Sequence, residues 1–198
     1  RDVYKRQEWN DANNALVGNG LSMITLHYVR RFMVFVKDLF SKSTKEQLTV
    51  HQELTHLLSA VSEQFARATQ KDILNPTERL EVVTALGKAG EAFRNAAYNG
   101  FKGEKTTMNS AKVVAFIDMA LILIDKTLRD SQRKDGLYHA YNLLLKKDEG
   151  IEVGHLYEML EGQVAALSSG ILEPYEAHQL LDNLKSSSMF RPDQYSYM

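Results

Sequence analysis

Carboxylate, amide and aromatic side chains are concentrated near the start of the chain, just ahead of its first apolar helical pattern. Glu8 and Asp11 flank Trp9 and Asn10, and Asn14 follows closely. In a carbohydrate site a carboxyl group protonates the glycosidic oxygen, an aromatic ring stacks on the sugar and amides bind its hydroxyls. These residues predict a sugar site, although a polar loop in which Asp and Asn cap turns and Trp9 is buried fits the same pattern.

Tyr138, His139, Tyr141 and Asn142 form a second group, in which aromatic rings stand beside an amide. Such residues could line a carbohydrate cleft, with rings that stack on sugars and an amide that binds hydroxyls. A half-buried strand would instead place alternate side chains on opposite faces, with no ligand at all. Both interpretations stay open from the residues alone.

A predicted helix over 155–168 carries the third group, which consists of Glu158, Glu161 and Gln163. Two carboxylates three residues apart share one face of a helix. There they could hold a water molecule as a general base or bind sugar hydroxyls, or they could simply be solvated. Gly162 lies among them, and because glycine inside a helix costs roughly 1 kcal/mol, its presence favours a reason such as close approach of another group.

Arg191 begins the fourth group, near the end of the sequence. Its guanidinium fork could bind a carboxylate, a phosphate or a backbone carbonyl. Asp193 follows two residues later, so a structural Arg–Asp pair explains the pattern equally well.

Helical periodicity dominates the elements that must position these groups. Apolar residues recur every three to four positions over 21–40. Asn75, Pro76 and Glu78 combine a helix cap, a proline in the first turn and a returning carboxylate. The sequence predicts helices over 21–40, 43–69, 76–98, 109–133, 155–168 and 174–185, with a short β-hairpin near 137–153. We therefore expect a predominantly all-α fold in which 43–99 is a solvent-facing helical hairpin.

The composition narrows the function classes. The 198 residues include 24 Lys and Arg against 25 Asp and Glu, for a formal charge of -1, and no cysteine. Binding to nucleic acid or to an anionic membrane generally uses a basic surplus or stripe, so neither partner is expected. The absence of cysteine excludes disulfides and thiolate metal sites, and no apolar run approaches the roughly 20 residues that cross a bilayer.

The first group carries a resemblance to a known family. Its pattern resembles the Asp-Trp-Asn-Asp-Gly-x-Asn segment, and the Gly/Ser helix start that follows it, in cellobiose-phosphorylase-type enzymes. The matching positions are Trp9, Asn10, Asp11, Asn14, Gly18, Gly20 and Ser22. The resemblance implies a catalytic domain with an (α/α)₆-barrel fold and an aspartate of the motif as general acid. Glu8 and Ala12 depart from the family pattern, so Asp11 is the closer match and Glu8 the other candidate.

The resemblance implies that the chain is a fragment of a carbohydrate-active enzyme acting on glycosidic bonds of a disaccharide or oligosaccharide. Phosphorolysis would use inorganic phosphate as a co-substrate. Inverting hydrolysis would need a second carboxylate, for which Glu158 and Glu161 are the candidates. No metal and no other cofactor is expected. The isolated fragment should be inactive without the remainder of its parent chain; the alternative is a non-enzymatic all-α scaffold or protein-interaction domain.

We expect residues 1–7 to be a non-native segment derived from a sequencing adapter. The run Asp2–Gln7 resembles the translation of the transposon mosaic-end adapter used in sequencing libraries. We therefore expect the helical domain fragment to occupy 8–198, with a native start further upstream. A cytoplasmic location is expected, since no signal peptide is visible.

Overall fold

The computed structural model describes residues 19–102 and 104–197. These residues form six α-helices joined by short strands, so the fold is predominantly helical, as predicted. The helices are α1 Met23–Lys42, α2 Gln52–Thr69, α3 Pro76–Tyr98, α4 Ser110–Asp130, α5 Leu160–Ser168 and α6 Pro174–Lys185. The strands are β1 Gly20–Ser22, β2 Gln47–His51, β3 Lys105–Asn109, β4 Tyr141–Lys147, β5 Gly150–His155, β6 Phe190–Arg191 and β7 Ser196–Tyr197.

The described residues form two compact units, here called the core unit and the hairpin unit. The core unit contains 19–31, 125–147 and 152–197, and the hairpin unit contains 32–102, 104–124 and 148–151. Helices α1 and α4 contribute residues to both units.

The core unit is organised around a three-stranded sheet in the order β1-β4-β5. Strand β1 pairs antiparallel with β4, with Gly20 opposite Leu143 and Ser22 opposite Tyr141. A turn at Asp148 and Glu149 connects β4 to β5, which confirms the predicted hairpin with its strands a few residues further along the chain. The buried cluster against which α5 and α6 pack consists of Leu137, Tyr138, Ala166, Leu180, Leu184 and Met189.

The hairpin unit contains α2 and α3, which pack against each other. Helix α3 begins at the predicted cap: Asn75 Oδ1 accepts the Glu78 N–H at 2.9 Å, and the Glu78 carboxylate accepts the Asn75 N–H at 3.0 Å. Strands β2 and β3 pair antiparallel, from Gln47 opposite Asn109 to His51 opposite Lys105. No residue of α2 or α3 is fully buried.

Two predicted helix starts are wrong. Residues 47–51 form β2 instead of the first turns of a helix over 43–69, because their backbone groups bond to β3. The helix expected over 155–168 begins only at Leu160, since His155 completes β5 and Met159 is extended at φ -139° and ψ 145°.

Ion pairs join α1 and α4 within each unit. In the core unit Arg30 Nε donates to Asp125 Oδ1 at 2.6 Å. In the hairpin unit Lys37 Nζ lies 2.6 Å from Asp118 Oδ1. Over the described ranges, no helix is both long and apolar enough to span a membrane.

Candidate functional site

The first group of predicted site residues, Glu8, Trp9, Asn10, Asp11 and Asn14, lies outside the described residues. The chain that follows it is described and forms β1. Leu144 donates its N–H to Asn19 O at 2.7 Å, and Met23 donates its N–H to Ala140 O at 3.0 Å. Leu21 lies opposite Asn142 in the sheet, so β1 pairs with the strand that carries part of the second group.

Tyr138 and Gln163 belong to the core. Both residues have 0% exposure. The Gln163 amide donates to Tyr138 O at 2.8 Å and to Met159 O at 3.0 Å, and its Oε1 accepts the Tyr138 N–H at 2.8 Å. Gln163 is buried, and both the nitrogen and the oxygen of its amide are hydrogen-bonded. We therefore assign it a structural role in fixing the Tyr138 backbone instead of the predicted sugar contact.

His139 and His155 form a stacked pair with ring centroids 4.2 Å apart and planes inclined by 10°. His139 Nδ1 lies 3.1 Å from Leu156 O, and His155 Nδ1 lies 2.8 Å from Asn142 Oδ1. A carbonyl oxygen only accepts, so each Nδ1 atom donates; in a neutral imidazole ring Nε2 is then an acceptor. Burial lowers the pKa of His139, and the nearby His155 and Arg133 lower it further.

An ion cluster adjoins the histidine pair. Arg133 Nη2 donates to Asp135 at 2.8 Å, and Arg133 Nη1 lies 3.2 Å from Glu158. The Ser188 hydroxyl donates to Glu158 Oε1 at 3.0 Å. Hydrogen bonds from its own backbone and from Ser188, together with the Arg133 charge, lower the pKa of Glu158. Glu158 is therefore an ionised carboxylate that Arg133 and Ser188 fix in place, and it is a poor proton acceptor.

Glu161 is placed differently from Glu158. It is exposed in the first turn of α5, whereas Glu158 precedes the helix, so the expectation that they share a helix face is wrong. Burial raises the pKa of Tyr141, and the Glu161 charge adds to this rise, which reports their proximity.

Gly162 explains how α5 comes so close to β4. A Cβ atom at Gly162 would lie 3.0 Å from the Ala140 N and Cα atoms. The close approach anticipated from the helical glycine is thus found, and it holds Glu161 beside the strand that carries Tyr141.

Arg191 is engaged with Asp193. Its Nε and Nη2 atoms donate to the carboxylate at 3.0 and 2.7 Å. The structural ion pair, one of the two interpretations, is present.

Sequence reasoning missed His155, Arg133 and Ser188 as neighbours of the second and third groups. One signal was available for His155. A two-residue turn at 148–149 makes Asn142 the counterpart of His155 in a hairpin. The contacts of Arg133 and Ser188 with Glu158 join distant parts of the chain, and no local pattern predicts them.

We refer to His139, His155, Asn142, Arg133, Asp135, Glu158 and Ser188 as the polar cluster. In the part of the chain that the structure describes, no three His, Asp or Glu side chains are grouped so as to hold a metal ion. The cluster can offer imidazole acceptors and an amide beside fixed charges, which suits a polar, hydroxyl-rich ligand. No protein-family model matches the chain, and no curated protein matches it.

Proposed function

We propose that the chain is a segment of a carbohydrate-active catalytic domain that acts on glycosidic bonds by phosphorolysis or inverting hydrolysis. The supporting observation is the pairing, in the core unit, of the strand that follows the motif with the strand that carries the second group. Strand β1 continues the segment with the Trp-Asn-Asp motif and pairs with β4 at Tyr141 and Asn142. Helix α5 lies close to Ala140 at Gly162, which places Glu161 beside the start of β4. The described parts of the second and third groups are thus close in the fold, and β1 continues the chain from the first group.

In this proposal Asp11, or Glu8 in its place, protonates the leaving glycosidic oxygen. Trp9 stacks on the sugar, and Asn10 and Asn14 orient its hydroxyls. These roles follow the family resemblance. In phosphorolysis the nucleophile is inorganic phosphate, so the reaction needs no second carboxylate from the protein.

For hydrolysis, Glu161 is the better candidate for the second carboxylate. A general base must be free to take a proton from water. Glu158 is bound by Arg133 and Ser188 and its pKa is lowered. Glu161 is exposed in the first turn of its helix and has an aromatic hydroxyl nearby.

We extend the proposal to the fold. Arg30 of α1 pairs with Asp125 of α4, and Lys37 pairs with Asp118, about two turns earlier in α4. The two helices are therefore antiparallel. Antiparallel helix pairs are the repeating unit of an (α/α) toroid. We propose that α1 and α4 are one such pair.

The test measures turnover of β-linked disaccharides by the polypeptide that the complete gene encodes, with and without inorganic phosphate. Turnover that requires phosphate identifies a phosphorylase, and turnover without phosphate identifies a hydrolase. Asp11→Asn should lower kcat by at least roughly 100-fold. Glu152→Gln, an exposed position outside the polar cluster, is the matched control and should retain activity. Absence of turnover under both conditions would refute the proposed function.

A further inference from the structure

Helix α1 carries an exposed apolar seam. Tyr28, Phe32, Phe35 and Leu39 are 46%, 59%, 57% and 51% exposed. Their spacing of four, three and four residues is that of the a and d positions of a coiled coil. Isolated exposed apolar residues need no explanation, whereas the largest contiguous apolar patch of a protein is often a binding surface.

The opposite face of α1 is already occupied. Arg30 pairs with Asp125 of α4, and Lys37 pairs with Asp118 of the same helix. At 100° per residue, Lys37 points about 160° away from Phe35 around the helix. The seam is therefore free of the contacts that hold α1 to α4.

We propose that the seam binds the same seam of a second copy of this chain, with the two α1 helices antiparallel. The seam is self-complementary about a two-fold axis between Met33 and Val34. Phe32 then lies opposite Phe35 of the second copy, and Tyr28 lies opposite Leu39. Each layer contains one a and one d residue, as antiparallel pairing requires, and each contact occurs twice, as in the symmetric dimers that proteins commonly form.

Charge complementarity favours this arrangement. Arg31 and Asp38 are exposed and occupy equivalent flanking positions, each one residue before an a position of the seam; Asp38 also pairs with Lys42 of its own helix at 2.7 Å, and both of these side chains are exposed. Antiparallel pairing brings these flanks together, so that Arg31 meets Asp38 of the second copy twice. Parallel pairing would instead bring Arg31 beside Val36 and Asp38 beside Ser43, which carry no charge.

The size of the seam sets the strength of the association. Half of a large side chain amounts to about 100 Å². Four such side chains on each copy bury about 800 Å² in total, which is below the roughly 1,200 Å² of stable complexes. The dimer is therefore reversible, and its population rises with concentration.

Sedimentation velocity of the 198-residue chain from about 1 to 500 µM tests this proposal. The mass should rise from 22.5 kDa toward twice that value. Phe35→Glu should weaken association by roughly tenfold or more. Ile73→Glu, at a 76% exposed loop position, is the control and should have no effect. A chain that stays monomeric throughout, or one weakened equally by both substitutions, would overturn the proposal.

A charge exchange tests the antiparallel register. Arg31→Glu alone should weaken the dimer several-fold, and Arg31→Glu combined with Asp38→Arg should restore it. Failure of the double variant to recover would refute this register. Circular dichroism melts establish that each variant is folded. The proposal depends on α1 alone, so neither its success nor its failure bears on the carbohydrate chemistry proposed for the core unit.

Discussion

His27 is a buried imidazole whose ring nitrogens have no hydrogen-bond partner among residues 19–102 and 104–197. It is 1% exposed and meets the Tyr138 ring edge-on, with centroids 5.9 Å apart. Burial, with a smaller contribution from the charge of Arg30, lowers the pKa of His27 to about 4. A histidine that stays neutral in this way makes the stability depend on pH. Between the two pKa values the unfolded chain binds a proton at this side chain and the folded chain does not.

The sign of this coupling gives a first prediction. The pKa of His27 is about 4 when folded and 6.5 in the reference state. Its contribution to stability should be complete above pH 6.5 and should be lost as the pH falls toward 4, by about 1–3 kcal/mol. Urea unfolding at pH 7.5 and pH 5 measures the loss. His27→Phe should reduce it, whereas His178→Gln, at an exposed position, should leave it unchanged. An equal pH dependence in the His27 variant would contradict this assignment.

Gln163 provides a second prediction at the residue scale. Its amide makes three hydrogen bonds, to the Tyr138 backbone and to Met159 O. Gln163→Ala removes them and leaves buried backbone groups unpaired, so the free energy of unfolding should fall by about 2–4 kcal/mol. Denaturant unfolding measures the change. Gln179→Ala, at an exposed position on α6, should change stability by less than about 0.5 kcal/mol. A loss of similar size in both variants would argue against the role given to Gln163.

At the scale of elements, the sequence predicted what local chemistry determines. Helix α3 begins where the Asn75 cap and Pro76 place it, and the hairpin predicted near 137–153 is present as β4 and β5. Strand β2 was missed because its hydrogen bonds go to β3, more than fifty residues away. The first turn expected for α5 is absent because its first residue is needed to complete β5.

The same distinction between local and long-range determinants applies to the candidate site. Tyr141, Asn142 and Glu161 were named from residue types; Asn142 contacts His155, and the packing of Gly162 on Ala140 places Glu161 near the start of β4. Tyr138 and Gln163 have equally suitable side chains, yet burial takes them into the core. The contact of Glu158 with Arg133 was not foreseen, because a salt bridge between distant segments leaves no periodic signal.

Glycines in two helices provide a prediction at this scale. Gly162→Ala should lower the melting temperature, with a loss of about 1–3 kcal/mol, because its Cβ would press on the Ala140 backbone. Gly87→Ala in α3 should instead stabilise the protein by about 0.5–1 kcal/mol, since nothing lies within 4 Å of its Cβ and alanine favours a helix. Thermal unfolding of the two variants compares the same chemical change at both sites. Stabilisation by Gly162→Ala would contradict the close packing of α5 on β4.

At the scale of the whole molecule, burial is unevenly distributed between the two units. The core unit includes fully enclosed side chains such as Leu128, Leu137 and Tyr138, each at most 1% exposed. Helices α2 and α3 of the hairpin unit contain no fully buried residue. Because apolar burial is the main source of stability, the units should differ in their local resistance to opening.

Hydrogen exchange measured by mass spectrometry tests this difference. After correction for intrinsic rates, amides of α2 and α3 should exchange at least roughly tenfold faster than those of α5 and α6, because opening the α2–α3 hairpin exposes little apolar surface. Leu180→Ala, which removes a side chain that is 2% exposed, should accelerate exchange in α5 and α6. Val83→Ala, at a half-exposed position of α3, should change little outside its own helix. Uniform exchange across all four helices would mean that the molecule opens as one cooperative unit, and that its stability does not follow the distribution of buried surface.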